Sequence, residues 1–121
     1  MNEKERDLMN QKAFELILHA GNSRSSSMEA LEYARNGSFA EAYAKFKDAD
    51  EEFNLAHEVQ TDLLFSNAQG AAVLPDILMV HAQDHFTGAM LCLELCREIV
   101  NMYELNQEMK KEIQEIKGEK Q

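Results

Sequence analysis

Between residues 77 and 109, two mainly hydrophobic lines of positions run along the chain at once. The first is Met79, Ala82, Phe86, Ala89, Leu93, Cys96, Val100 and Tyr103, spaced alternately three and four apart. The second is Ile77, His81, Asp84, Gly88, Leu91, Leu95, Glu98, Met102, Leu105 and Met109, with the same spacing. Such spacing is the signature of one face of an α-helix. Corresponding members differ by two residues, about 200° of rotation, so the lines run along opposite sides of one helix. A helix that is apolar on both sides must be covered on both sides. The remaining helices of a chain this short can cover one. The second line therefore predicts self-association through this helix.

The rest of the chain reads as helix too. It has one Pro, five Gly and no Trp in 121 residues, and is rich in Ala, Leu, Glu, Met and Lys. With 45% hydrophobic and 28% charged residues it is globular, and its length suits a single domain spanning residues 1–121. Twelve basic against twenty-two acidic side chains give a formal charge of −10. That disfavours nucleic acid, whose phosphates need a basic footprint, and disfavours an anionic membrane surface. It favours a partner with a basic face. The charged start, Met1 to Asp7, lacks the apolar core of a signal peptide, and no apolar run is long enough to span a bilayer. Cys92 and Cys96, four apart with no second pair, read as small buried hydrophobes in a reducing cytoplasm.

The predicted helices cover residues 4–35, 38–65 and 75–115. In the first, Leu8, Phe14, Ile17, Met28 and Leu31 supply an apolar stripe, and Asn36-Gly37 is the stop. Gly21-Asn22-Ser23-Arg24-Ser25-Ser26-Ser27 contains mediocre helix formers and predicts a kink, a break or a small-residue packing seam. His19 reads as a satisfied histidine at the core edge. Ser38-Phe39-Ala40-Glu41 has the form of a capping box opening the second helix. A seam of Phe39, Ala42, Phe46, Ala49, Phe53, Ala56, Gln60 and Leu63 follows, alternating large and small for antiparallel packing. Gln60 needs a hydrogen-bond partner there, and His57, one residue off the seam, belongs at the rim. Residues 66–74 predict a mobile loop, and Pro75 fits the first turn of the third helix with Asp76 at its positive end. The tail, residues 106–121, should outrun the bundle, as a coiled-coil extension or a frayed end.

The chemistry concentrates in His81-Ala82-Gln83-Asp84-His85, where His81, Asp84 and His85 share a helix face. Facing copies of Asp84 in a self-association seam would repel or recruit a cation. Three copies with water would suit an octahedral Mg²⁺. Neutral imidazole is a good nucleophile near pH 7, and phosphoryl transfer to it needs chiefly positioning and charge neutralisation. Spacing alone leaves a phosphohistidine, a transition-metal site built from His81, Asp84 and His85, and a polar layer that sets oligomer register all open.

The longer words narrow this. Val80-His81-Ala82-Gln83-Asp84-His85 resembles the signature of the lactose/cellobiose-type enzyme IIA component of the bacterial phosphoenolpyruvate-dependent sugar phosphotransferase system. Ala56-His57-Glu58-Val59-Gln60-Thr61 is similar to a second word of that family. Gly21-Asn22-Ser23-Arg24-Ser25 with Met28-Glu29-Ala30-Leu31 is similar to a third, and the match runs from Phe14 to Tyr103. The resemblance implies an all-α, antiparallel three-helix protomer assembled as a homotrimer through its third helix. It implies that His81 accepts a phosphoryl group from the histidine-containing phosphocarrier protein and passes it to a cysteine of enzyme IIB, in the cytoplasm, during disaccharide uptake. Asp84 would hold one Mg²⁺ per trimer on the threefold axis, and Gln83 and His85 would line the site. Ala82 follows the form associated with cellobiose, chitobiose or β-glucoside carriers, where the lactose form has glycine. Ser26 and Ser27 stand where the family carries bulkier residues, which would loosen the first helix, and the tail is longer than usual. A trimer of this fold that has lost phosphotransfer is the rival reading.

Overall fold

A computed structural model of the chain describes residues 1–71, 73 and 75–119. Three helices follow one another: α1 (Glu3–Arg35), α2 (Phe39–Ala68) and α3 (Ile77–Glu119). They pack as an antiparallel bundle in which α1 lies along both α2 and α3. No described helix is long and apolar enough to cross a membrane.

The ends of the helices are set by local chemistry, not always where expected. Asn2 caps α1: the Glu5 N–H donates to Asn2 Oδ1 at 2.9 Å, while the Asn2 N–H donates to Glu5 Oε2 at 3.1 Å. The capping box expected at Ser38–Glu41 does not form, since the Ser38 side chain makes no cap hydrogen bond. Ser38 has ψ 69°, short of the extended backbone that aims a capping hydroxyl at the helix. That backbone is dictated by the turn before it. The Gly37 N–H donates to the Ala34 carbonyl at 3.0 Å and the Ser38 N–H to the Tyr33 carbonyl at 2.9 Å, with Gly37 at φ +80°. This is the six-to-one closure of a helix end, and it requires a left-handed residue at position 37.

The same closure ends α2. The Gly70 N–H donates to the Asn67 carbonyl and the Ala71 N–H to the Ser66 carbonyl, with Gly70 at φ +91°. Residues 66–68, expected in the loop, are therefore the last turn of α2; positions 72 and 74 of that loop lie outside the described residues. Pro75 precedes α3 rather than opening it. Asp76 is the cap, its carboxylate accepting from the Met79 N–H at 2.9 Å.

The expected stripe on α1 is corrected. Leu8, Phe14 and Met28 are exposed, and the buried line is Ala13, Leu16, Ala20, Ser23, Ser27, Ala30 and Ala34, again spaced three and four apart. Small side chains let the backbones approach; Leu8, Phe14 and Met28 are turned outward, while Ile17 and Leu31 of the expected stripe pack partly buried against the core. The Ser23 hydroxyl donates across this seam to the Ala49 carbonyl of α2 at 2.9 Å, and the Ser27 hydroxyl donates back to the Ser23 carbonyl at 3.0 Å. Both hydroxyls are buried and satisfied, so α1 runs unbroken through Gly21–Ser27 and Ser27 does not loosen it. Packing overrides the poor local propensity.

The first line on α3 faces inward. Met79, Ala82, Phe86 and Ala89 meet Leu16, Ala56 and Leu63 at one end; Leu93, Cys96 and Val100 meet Ala34, Phe46 and Ala49 at the other. Phe53 touches both groups and stacks on Phe86 at 5.2 Å and 19°. Polar ties bind the rims: His19 with Glu52 at 2.6 Å, Lys45 with Glu29 at 2.7 Å, Arg97 with Asp50, and Tyr43 with Glu104. The Tyr43 hydroxyl, held by the Glu104 carboxylate, titrates above the usual phenol range. The second line faces solvent in the protomer: Leu91 and Leu95 are each 53% exposed and Met102 66%. Residues 106–119 of the tail are not frayed, since α3 stays helical to Glu119; positions 120 and 121 lie outside the described residues.

Burial, reinforced by the Cys92 thiol 3.8 Å away, pushes the Cys96 thiol from the ordinary 9.0 up to about 11. Between these values the unfolded chain has lost the Cys96 proton and the folded chain retains it, so the linkage slope is negative. Folding stability is expected to fall from pH 9.0 to 11 in the native protein and to fall less in Cys96→Ala. Urea unfolding across that pH range checks this; equal slopes would exclude a contribution from Cys96.

Candidate functional site

The polar cluster occupies the second and third turns of α3, just past the Asp76 cap. His81 is exposed and His85 half-buried one turn later. Their rings meet edge to face with centroids 4.4 Å apart at 87°, and the two Nε2 atoms are 3.0 Å apart. At that distance one Nε2–H donates to the lone pair of the other, so the two imidazoles share a hydrogen bond and cannot both be Nε2–H tautomers. If His85 donates, His81 carries its own proton on Nδ1 and keeps a basic Nε2. The i, i+4 spacing placed the histidines on one face; the direct pairing depends on ring rotation and was not readable from it.

Gln83 lies on another side of the helix. It is half-buried between α2 and α3, its Oε1 accepting from Gln60 Nε2 at 3.0 Å and its Nε2 lying 3.8 Å from Met79 Sδ. Gln60 thus has the interhelical partner that the α2 seam required. Within the protomer Gln83 is bonded to the bundle, not to His81. Asp84 is exposed on the same side as His81, and no hydrogen bond or ion pair to it is present among the described residues. Nor, among those residues, do any three His, Cys, Asp or Glu side chains converge as a metal site within one chain would need. His57 is exposed at the rim, its ring 6.1 Å from Phe86 and 6.2 Å from Phe53. Ile77 and Val80, both exposed, sit beside His81 and give the cluster an apolar border.

A hydrogen-bonded imidazole pair, bordered by apolar side chains, thus stands near the start of α3. Residues 11–104 match the model of the family described as PTS system, lactose/cellobiose specific IIA subunit, PTS being the phosphotransferase system. The lichenan-specific phosphotransferase enzyme IIA component of Bacillus subtilis is 45% identical over 104 residues, covering 86% of this chain and 91% of that one. The cellobiose-specific enzyme IIA of Bacillus anthracis superposes with a TM-score of 0.81 at 38% identity, covering 88% and 94% of the two chains. The IIA(chitobiose) of Escherichia coli, solved in complex with HPr, superposes with a TM-score of 0.71 at 33% identity, covering 82% and 96%. Fold and sequence together define a component of a phosphotransferase system. The chain belongs to the lactose/cellobiose-specific enzyme IIA family.

Replacing Gln60 by Leu leaves the Gln83 carboxamide half-buried without its α2 partner. A loss of about 0.5–1.5 kcal/mol in urea unfolding at fixed protein concentration is expected. An unchanged midpoint would show that the bond carries no net stability.

Proposed function

We propose that this enzyme IIA carries a phosphoryl group on His81. The observation that supports it is the Nε2–Nε2 pairing of His81 with His85 at an exposed helix end, in a chain of this family. Transfer begins with a phosphohistidine on the histidine-containing phosphocarrier protein, as the HPr complex of the chitobiose relative suggests. A lone pair of His81 attacks phosphorus in line; the new N–P bond forms as the donor N–P bond breaks, and the donor imidazole keeps the released electron pair. His85, whose Nε2 lies 3.0 Å from His81 Nε2, is placed to turn its N–H from that nitrogen to a phosphoryl oxygen. Gln83, pinned by Gln60, holds the turn between the histidines against the bundle. The second transfer passes the group to a thiolate of enzyme IIB, forming S–P and breaking the His81 N–P bond.

The acidic chain, at −10 before the phosphoryl charge is added, matches partners whose docking faces are basic. The chain works in the cytoplasm, as a homotrimer joined through the outward line of α3. Asp84 stands on that line with its carboxylate uncommitted, a hard oxygen donor that three copies and water would complete around one Mg²⁺. The ion would offset the repulsion of three carboxylates. A disaccharide of the cellobiose, chitobiose or β-glucoside kind is the transported sugar, favoured over lactose by Ala82, which is fully buried against the core.

With phosphoenolpyruvate, enzyme I and the carrier protein, one acid-labile phosphate per chain is expected, and none in His81→Ala. Phosphate retained by that variant would overturn the assignment; a native chain that accepts none would leave a trimer without phosphotransfer. Magnesium analysis of the purified protein should give one ion per three chains, lost in Asp84→Ala. A variant that retains it would remove Asp84 from the metal site.

A further inference from the structure

Past Gln107, α3 leaves the bundle. The Gln107 amide oxygen lies 3.3 Å from where a Cβ on Gly37 would be, so this residue is level with the α1–α2 turn. Residues 108–119 continue for about 18 Å of helix with every position exposed. The family match stops at residue 104. A solitary helical segment of this length is marginal in water unless something packs on it.

One face is built for that. Leu105, Met109, Ile113 and Ile116 are each between 51% and 55% exposed. At 100° per residue they fall within an arc of about 80°, the same arc that holds Leu91, Leu95 and Met102. The outward line of α3 thus continues without a break beyond the bundle. The charges beside it are sorted. Glu108, Glu112, Glu115 and Glu119 all flank the line on one side, while Lys110 and Lys117 flank it on the other. In a parallel coiled coil the two flanks of neighbouring helices face each other, so acid meets base; in an antiparallel pair, like flanks would meet. Sorted flanks therefore select a parallel copy of the same chain. The spacing from Leu105 to Ile116 is four, four and three, eleven residues in three turns, which relaxes the left-handed supercoil of the seam before it.

We propose that residues 105–119 are an assembly element that packs against the same residues of other copies as a parallel coiled coil, prolonging the trimer seam. This rests on the trimer reading above. The test is sedimentation equilibrium of the full-length chain, of Ile113→Gln/Ile116→Gln, and of Lys110→Glu/Lys117→Glu. The substituted positions are exposed, so each protomer should keep its fold, checked by circular dichroism. The native chain should be a trimer. The apolar variant should dissociate at a protein concentration at least about tenfold higher. The charge variant should also dissociate more readily, by an amount that shrinks in high salt. A trimer whose dissociation is unchanged in both variants would overturn the role of the tail and leave the trimer standing. A native chain that sediments as a monomer would overturn the trimer and the tail's role together.

Discussion

The stack of Phe53 on Phe86 is the contact on which the rest of this bundle turns. Phe53 is the side chain that touches both halves of the core, and Phe86 is fixed on α3 one residue after His85. Because the core is close-packed, the stack sets the rotation of α3 about its own axis. That rotation decides which residues of the polar cluster meet the bundle and which meet solvent. Gln83 is directed to Gln60, and His81 and Asp84 are directed away. A polar cluster carried on one helix is thereby positioned by an aromatic contact outside it.

Much of this was legible because helix periodicity is a strong signal. The inner line of α3 is buried from Met79 to Val100, with Tyr103 half-buried at its end, and the seam of α2 is inward as its alternation of Phe and Ala implied. The departures have separate causes. On α1 the bulky Leu8, Phe14 and Met28 suggest the stripe, but the helix is close to its neighbours where its side chains are small, and the buried line is alanine and serine apart from Leu16. At Gly21–Ser27 the expected small-residue packing seam forms, and the kink or break does not, since Ser23 and Ser27 each have a carbonyl within reach. At Ser38 a correct motif met a backbone already committed to the glycine turn before it.

The site divides in the same way. The words around His81 were readable as a family signature, and the spacing put His81, Asp84 and His85 on one side. The side-chain rotations were not readable, and they decide that His85 bonds His81 while Gln83 bonds Gln60. The proposed role of Asp84 depends on other copies of the chain, which no single protomer can display.

The length of α3 has a practical consequence. His81 stands near one end of the helix and Glu119 at the other, thirty-eight residues or about 57 Å apart along the axis. The bundle lies between them. A fluorophore, an affinity handle or a surface tether joined near Glu119 would therefore be remote from any protein docked at His81, and the helix itself would serve as the spacer.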